Sequence, residues 1–379
     1  MARLTGPIVL DLRDVGRNRR GVGRVLTELG SRLLAWYPEH YHAICGPDGP
    51  PLLGDIDADR ITIVGHQSQA VYEQFTLPFM ASRVRARAIY SHQECGALWG
   101  PPLLLHVPED PEIRWSKSSA RATTQLVDPS SSPARERSRR IYSRLLMNRS
   151  LRRAHVVTST RSTAADLAQF HRIRTDQVTV VNLGVDLDKF RPVDNGGQDP
   201  APYLFHLSSN DPREHPDVVI QAFARFAAQV PDAVRLIIAG DLGPNGRSLE
   251  QLAAELGVSN KVAFLGWIPD EQLVRLYTGA TATVMAAADE GFGLQPLEAM
   301  ACGSIVVAVP TAATEEIAVG AEVEWTALEA GPMATAFAAV WTDRARQARA
   351  VAVNREIASN FSWDRMAKRL HELLCEVGS

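Results

Sequence analysis

The chain has 379 residues, more than one hydrophobic core usually supports, so two domains of about 150 to 200 residues each are expected. Its 45 % hydrophobic content is ordinary for a globular protein, and no run of about 20 apolar residues offers a membrane span. The net charge of −3 hides a split, because residues 1–192 carry 27 Lys+Arg against 19 Asp+Glu and residues 193–379 carry 13 against 24.

The chain passes from Met1–Pro7 straight into the strand pattern Ile8–Leu10, with no signal-peptide core, and a cytoplasmic protein is expected. Gly21-Val22-Gly23 follows, ahead of the helical pattern of Val25, Leu26, Leu29, Leu33 and Leu34. Glycines there let backbone amides approach a phosphate closely; a tight strand-to-helix turn would use them equally well. Arg17, Arg19, Arg20 and Arg24 crowd the same loop. Tyr41–Cys45, Ile61–Val64, Ala88–Ser91 and Leu103–His106 continue as strand patterns, as in a parallel α/β sheet. Lys117–Arg137 is polar, carries Pro129-Ser-Ser-Ser-Pro133 and reads as a loop. Arg139–Arg149 then places Ile141, Tyr142, Leu145 and Leu146 on one helical face and arginines on the other. Such a helix packs on its own sheet or makes weak contact with an anionic membrane. The basic first half likewise suits an anionic acceptor or membrane surface, or else solvated faces and contacts between the halves; nucleic acid is not expected.

Val193–Pro200, rich in turn residues, is the expected linker. Beyond it Tyr203–Leu207, Val234–Gly240, Val262–Leu265 and Ala282–Ala286 read as a second set of parallel strands. Ligands of open parallel sheets bind beyond the carboxyl ends of the strands, so Ser208, Gly240, Gly266 and Glu290 should face one crevice. Cys45, Cys95, Cys302 and Cys375 are scattered, without C-x-x-C spacing or a nearby His arrangement that suggests zinc, and read as reduced thiols. Only Lys117, Lys189, Lys261 and Lys368 are lysines, a bias that fits a GC-rich bacterial genome.

The most informative stretch is Glu290-Gly291-Phe292-Gly293-Leu294-Gln295-Pro296-Leu297-Glu298. A strand, a glycine turn and the helix pattern Pro296–Cys302 closed by Gly303 turn free N–H groups and the positive helix end toward the cleft, where phosphates fit. Glu298 could accept two hydrogen bonds from a vicinal diol such as ribose, and Glu290 could meet a second polar group. Taken alone, the spacing equally suits a carboxylate favoured by the helix dipole and a solvated loop residue.

The flanks add to it. Val262–Pro269, Glu271–Tyr277 and Met300–Ala308 surround the motif, Ala154–Ser159, Val180–Asp186 and Phe190-Arg191-Pro192 lie upstream, and Arg20–Arg24 stands near the start. This succession resembles the retaining glycosyltransferases of family 4 over most of the chain. The resemblance implies an α/β GT-B fold of two Rossmann-like parallel-sheet domains facing a central cleft. Residues 1–192, completed by a returning C-terminal helix within 361–379, would bind the acceptor, and residues 193–360 a nucleoside-diphosphate sugar as co-substrate. It implies metal-independent transfer with retained configuration to a saccharide, a lipid-linked saccharide or a small natural product, and no Asp-x-Asp motif accompanies the proposed donor residues. Glu298 would hold ribose, Glu290 the donor sugar, Gly291-Phe292-Gly293-Leu294 sugar and phosphates, and Trp267 and Ile268 the base. His106 stands where the family often has a His beside donor sugar or acceptor, with Glu109 and Asp110 close by.

The sequence departs from the family after the first strand of the donor domain, where an Arg and, five residues later, a Lys are usual. Ser209 and Glu214 stand there, and a carboxylate about 4 Å from a phosphate charge is repelled by roughly 4 kcal/mol at an effective dielectric of ~20. Arg213 is therefore expected to take the diphosphate. A GT-B epimerase or phosphorylase shares this plan, and a non-catalytic nucleotide-sugar-binding partner protein would tolerate the substitutions.

Overall fold

A computed structural model describes residues 6–16, 21–109, 133–194, 202–230 and 234–379. Those residues form two compact units. The first comprises residues up to 113, Pro133–Gly184 and Ser362–Ser379, and the second contains Val185–Phe361. The first changeover thus falls at Gly184–Val185, ahead of the expected 192/193 boundary. Residues 195–200 of the expected linker and Arg17, Arg19, Arg20 and Asp110 lie outside the described residues.

In the first unit seven strands, β1 (Ile8–Leu12), β2 (Tyr41–Cys45), β3 (Ile61–Ile63), β4 (Ala88–His92), β5 (Leu103–Val107), β6 (His155–Thr158) and β7 (Val178–Val180), lie in the order β3-β2-β1-β4-β5-β6-β7. Every pairing is parallel. β1, β4 and β5 are buried along their whole length, as strands covered by helices on both faces must be. The second unit repeats the plan with β8 (Tyr203–Leu207), β9 (Arg235–Ala239), β10 (Val262–Phe264), β11 (Ala282–Met285), β12 (Val306–Ala308) and β13 (Val323–Trp325), ordered β10-β9-β8-β11-β12-β13 and again parallel throughout. Phe226 of the helix Pro216–Ala227 meets Phe337 and Trp341 of the helix Ala330–Thr342 edge-on, at 6.0 and 5.3 Å, and closes one face of this sheet. The expected strands are present, while β6, β7, β12 and β13, three or four residues each, were not read as strands.

The helix Trp363–Val377 starts at the N-cap Ser362, whose hydroxyl accepts from the Arg365 N–H. It buries Trp363, Met366, Leu370, Leu373 and Leu374 against the helix Val22–Trp36 and strands β4 and β5. Gly184 is required where this helix begins, since a Cβ there would lie 2.1 Å from the Trp363 nitrogen.

The last five residues of the expected loop are corrected, while residues 117–132 of it lie outside the described residues. The chain is already helical from Pro133, in the helix Pro133–Arg153. The predicted apolar face is also split: Tyr142 and Leu146 are half-buried, whereas Ile141 and Leu145 are 53 % and 65 % exposed. Tyr142 is turned inward by its hydroxyl, which donates to Glu73.

Candidate functional site

In both sheets the strand order reverses at one point, between β1 and β4 and between β8 and β11, and crevices form at the carboxyl ends there. In the second unit the loops leaving β8 and β11 flank that point. They are joined by the Ala288 N–H, which donates to the Arg213 carbonyl at 3.0 Å.

Gly293 turns the β11 loop into the helix Leu294–Ala301, which starts two residues before the pattern suggested. Its φ of 97° and ψ of 54° belong to glycine, and a Cβ would come within 3.0 Å of Ile317 Cδ1 and 3.1 Å of Pro296 Cγ. Glu298 follows inside the helix and is buried at 4 % exposure, close enough to Cys302 to push its thiol pKa up, with burial the larger cause. Glu290 and Gly291 are half-buried on the loop. The Phe292 ring is buried edge-on against Phe361 at 5.8 Å, so it is the backbone of this residue that can face a ligand.

Gly240 has a structural role of its own. Its N–H donates to the Gly266 carbonyl at 2.7 Å, and a Cβ would sit 1.7 Å from the Ser208 carbonyl oxygen, so this glycine serves the close approach of β8 and β9. Of the pair expected to hold a base, Trp267 is 55 % exposed, which leaves its indole for contact, while the Ile268 side chain is buried.

The loop after β8 shows where its charges go. The Glu214 carboxylate turns back to accept from the Ser209 N–H. Burial and the neighbouring Asp211 push its pKa up to about 7, so near neutrality it carries much less negative charge than an ordinary carboxylate. Ser209 Oγ accepts from the Asp211 N–H at 3.1 Å. Ser208 is buried at the base of the loop. Arg213 is held by Asp211, with Nε at 3.1 Å from both carboxylate oxygens and one terminal nitrogen at 2.8 Å from Oδ2. A diphosphate would have to share or displace that carboxylate.

In the first unit Gly21 caps the helix Val22–Trp36, so Val22 and Gly23 lie inside its first turn and not in a loop before it. That turn has no acidic residue and no side-chain cap, which leaves its field suited to an anion. His106 lies inside the first unit. It is fully buried, with Nδ1 3.1 Å from the Tyr90 hydroxyl and Nε2 2.9 Å from the Ser159 hydroxyl, so both ring nitrogens are engaged within the unit. Glu109 is half-buried close to the same strand end.

The neighbouring His92, opposite His106 in the β4–β5 register, is the residue the sequence reading missed. It is 3 % exposed, neither ring nitrogen has a hydrogen-bond partner, and burial pushes its pKa down to about 4. A neutral imidazole at the end of β4, beside the switch point, is a better candidate for ligand contact than His106. Its place directly after the buried run Ala88–Ser91 was the available signal.

Beneath this edge lies a buried polar network. Tyr72 and Ser91 donate to Asp11 at 2.8 and 3.0 Å, Arg13 stands 3.3 Å from Glu73, and Gln69 and Tyr142 donate to Glu73 at 2.8 and 2.7 Å. Burial nevertheless pushes the Glu73 pKa up to about 7, against the pull of Arg13.

Two parallel-sheet, Rossmann-like units of this order define the fold as GT-B. Among solved structures, Anabaena Alr3699/HepE in complex with UDP-glucose matches 98 % of this chain and 100 % of its own with a TM-score of 0.73 at 19 % identity. Sucrose-phosphate synthase from Thermosynechococcus elongatus matches 98 % and 99 % with a TM-score of 0.76 at 17 % identity. Residues 190–343 match the family model of glycosyl transferases group 1. The D-inositol 3-phosphate glycosyltransferase of Stackebrandtia nassauensis is 33 % identical over 239 residues, 57 % of this chain and 52 % of that protein. The chain thus spans about half the length of this curated relative.

Proposed function

We propose that the protein is a retaining, metal-independent glycosyltransferase of family 4, moving a sugar from a nucleoside-diphosphate sugar to an acceptor hydroxyl. The observation that carries this reading is the junction at the second switch point, where the Arg213 loop is tied to the loop of Glu290 and a left-handed Gly293 leads into a helix with a buried Glu298. The match of residues 190–343 to glycosyl transferases group 1 covers this junction, and a structural neighbour holds UDP-glucose.

In this reading Glu298 holds the ribose diol, Glu290 the sugar hydroxyls, and the backbone of Gly291–Leu294 the phosphates. Trp267 stacks on the base. As the anomeric C–O bond breaks, negative charge grows on the diphosphate, and Arg213 together with the helix start stabilises it. Glu214 is kept from opposing that charge because it is turned onto Ser209 and is easily protonated. The departing phosphate takes the proton of the acceptor hydroxyl on the same face.

The first unit is proposed to bind the acceptor, with His92 at the strand ends. Its excess of basic residues suits an anionic acceptor, and the name of the Stackebrandtia relative suggests an inositol phosphate ahead of a lipid-linked saccharide or a natural product. The pairing of Arg213 with Asp211 favours one competing reading, a binding protein without turnover.

The test is a thermal-shift screen against UDP, GDP, TDP and ADP sugars, followed by transfer assays with inositol 3-phosphate and saccharide acceptors. Stabilisation by one donor and transfer with retained configuration are expected. Donor binding without transfer or hydrolysis would favour the binding protein, and use of inorganic phosphate as acceptor a phosphorylase. Turnover that depends on a divalent ion after chelation controls would overturn the metal-independent mechanism.

A further inference from the structure

We propose that His40, His371 and Cys375 form a binding site for a zinc-class transition-metal ion that fastens the helix Trp363–Val377 to the first unit. One ligand atom from each lies within 4.8 Å of the others; His371 and Cys375 are half-buried and His40 stands at the solvent-facing rim. His371 and Cys375 are four residues apart on one helix face. His40 reaches them from the 3₁₀ turn Pro38–His40 that leads into β2.

The surroundings fix the ligands in the way metal-binding imidazoles are usually fixed. The His371 ring stacks on Tyr37 at 3.6 Å with the planes 2° apart, and its Nδ1 lies 2.7 Å from the Tyr41 hydroxyl. Metal on Nε2 would place the proton on Nδ1, which then donates to that hydroxyl. Nε2 is 3.7 Å from Cys375 Sγ. A tetrahedral zinc ion with Zn–N about 2.0–2.1 Å and Zn–S about 2.3 Å separates two such ligands by about 3.6 Å, so this pair already stands at the required spacing.

Arg87 gives the cluster its second character. One terminal nitrogen of its guanidinium lies 3.2 Å from His40 Nδ1 and 3.6 Å from Cys375 Sγ, where it supplies a positive charge among three electron-pair donors. It is half-buried, at the rim, and can swing outward when an ion arrives. Three protein ligands leave a fourth position for water. His371 and Cys375 are neighbours in sequence, but the third ligand, His40, is separated from them by most of the chain, so the three-residue set does not show as a local motif.

The experiment titrates the tag-free full chain with Zn²⁺ by calorimetry and with Co²⁺ as an optical probe. One ion per chain, a thiolate-to-Co²⁺ charge-transfer absorption and a raised unfolding temperature are expected. The absorption should vanish in Cys375→Ser and the affinity should fall at least tenfold in His40→Ala, each shown to be folded by circular dichroism. Arg87→Ala keeps all three ligands and removes the competing charge, and it should bind Zn²⁺ on the order of tenfold tighter. Absence of the absorption in the wild-type chain, its persistence in Cys375→Ser, or weaker binding by Arg87→Ala would overturn the proposal.

Discussion

At the scale of single residues, Gly293 and Glu73 make the sharpest claims. An alanine at 293 must hold a φ near 97° and push against Ile317 and Pro296. The left-handed backbone alone costs about 1–2 kcal/mol. Gly293→Ala should therefore lower the unfolding midpoint and weaken the proposed nucleotide-sugar binding at least tenfold, as measured by calorimetry; unchanged affinity would remove the turn from the donor site. Glu73 has its pKa raised from 4.5 to about 7 in the folded chain. Its contribution to stability is fully present below pH 4.5 and is lost as pH rises through 7, because the folded state then has to hold a buried charge. Glu73→Gln should escape this loss. The stability difference between variant and wild type should shift in the variant's favour by at most about 3 kcal/mol between pH 4.5 and 8 in urea unfolding. A pH-independent difference would show that Arg13 keeps Glu73 ionised throughout. The histidines teach a related lesson about legibility: a strand end marks where a ligand could be, but only the partners of a ring show whether it is free to meet one. His106 and His92 are sequence-equivalent in that respect and differ entirely in their surroundings.

At the scale of elements, long buried strands were readable because apolar runs between turn residues have few alternatives in a parallel sheet. The strands β1, β2, β4, β5, β8 and β11 are of this kind. β13 was not, since Val323-Glu324-Trp325 is short and only partly buried, as suits an edge. The helix Pro133–Arg153 was readable as basic but its exposed stripe was not, because Tyr142 is drawn inward by Glu73 and Gln74, contacts no periodicity encodes. Ile141 and Leu145, beside exposed Arg137, Arg144 and Arg149, suit shallow insertion into an anionic bilayer. If this weak contact exists, Ile141→Ser/Leu145→Ser should sediment less with phosphatidylserine vesicles than wild type while keeping its circular-dichroism spectrum. Equal sedimentation would assign those side chains to another partner or to none. The helix Trp363–Val377 leads to a different expectation. Leu370 is fully buried there, and Leu370→Ala should cost about 2–5 kcal/mol, seen as faster hydrogen exchange in β4 and β5 with little change in β8 and β11. Equal loosening of both sheets would mean that the two units unfold as one.

At the scale of the whole molecule, one sheet order occurs twice, and the two halves carry opposite net charge. The doubled α/β plan was legible because strand and helix patterns alternate in both halves, and the turn and helix from Glu290 to Glu298 were legible because their glycines and carboxylates are local in sequence. Neither the Arg213–Asp211 pairing nor the His40–His371–Cys375 cluster was legible in that way: the first depends on a rotamer and the second on a chain return of more than three hundred residues. That return also orders events in time. Residues 185–361 are continuous and can fold as they leave the ribosome, whereas the first unit lacks one of its packing helices until residues 363–377 have been synthesised and released from the exit tunnel. The unit whose strands are translated first is thus the one completed last, and in the interval the apolar residues of β4 and β5 that this helix covers are open to chaperones and to neighbouring nascent chains.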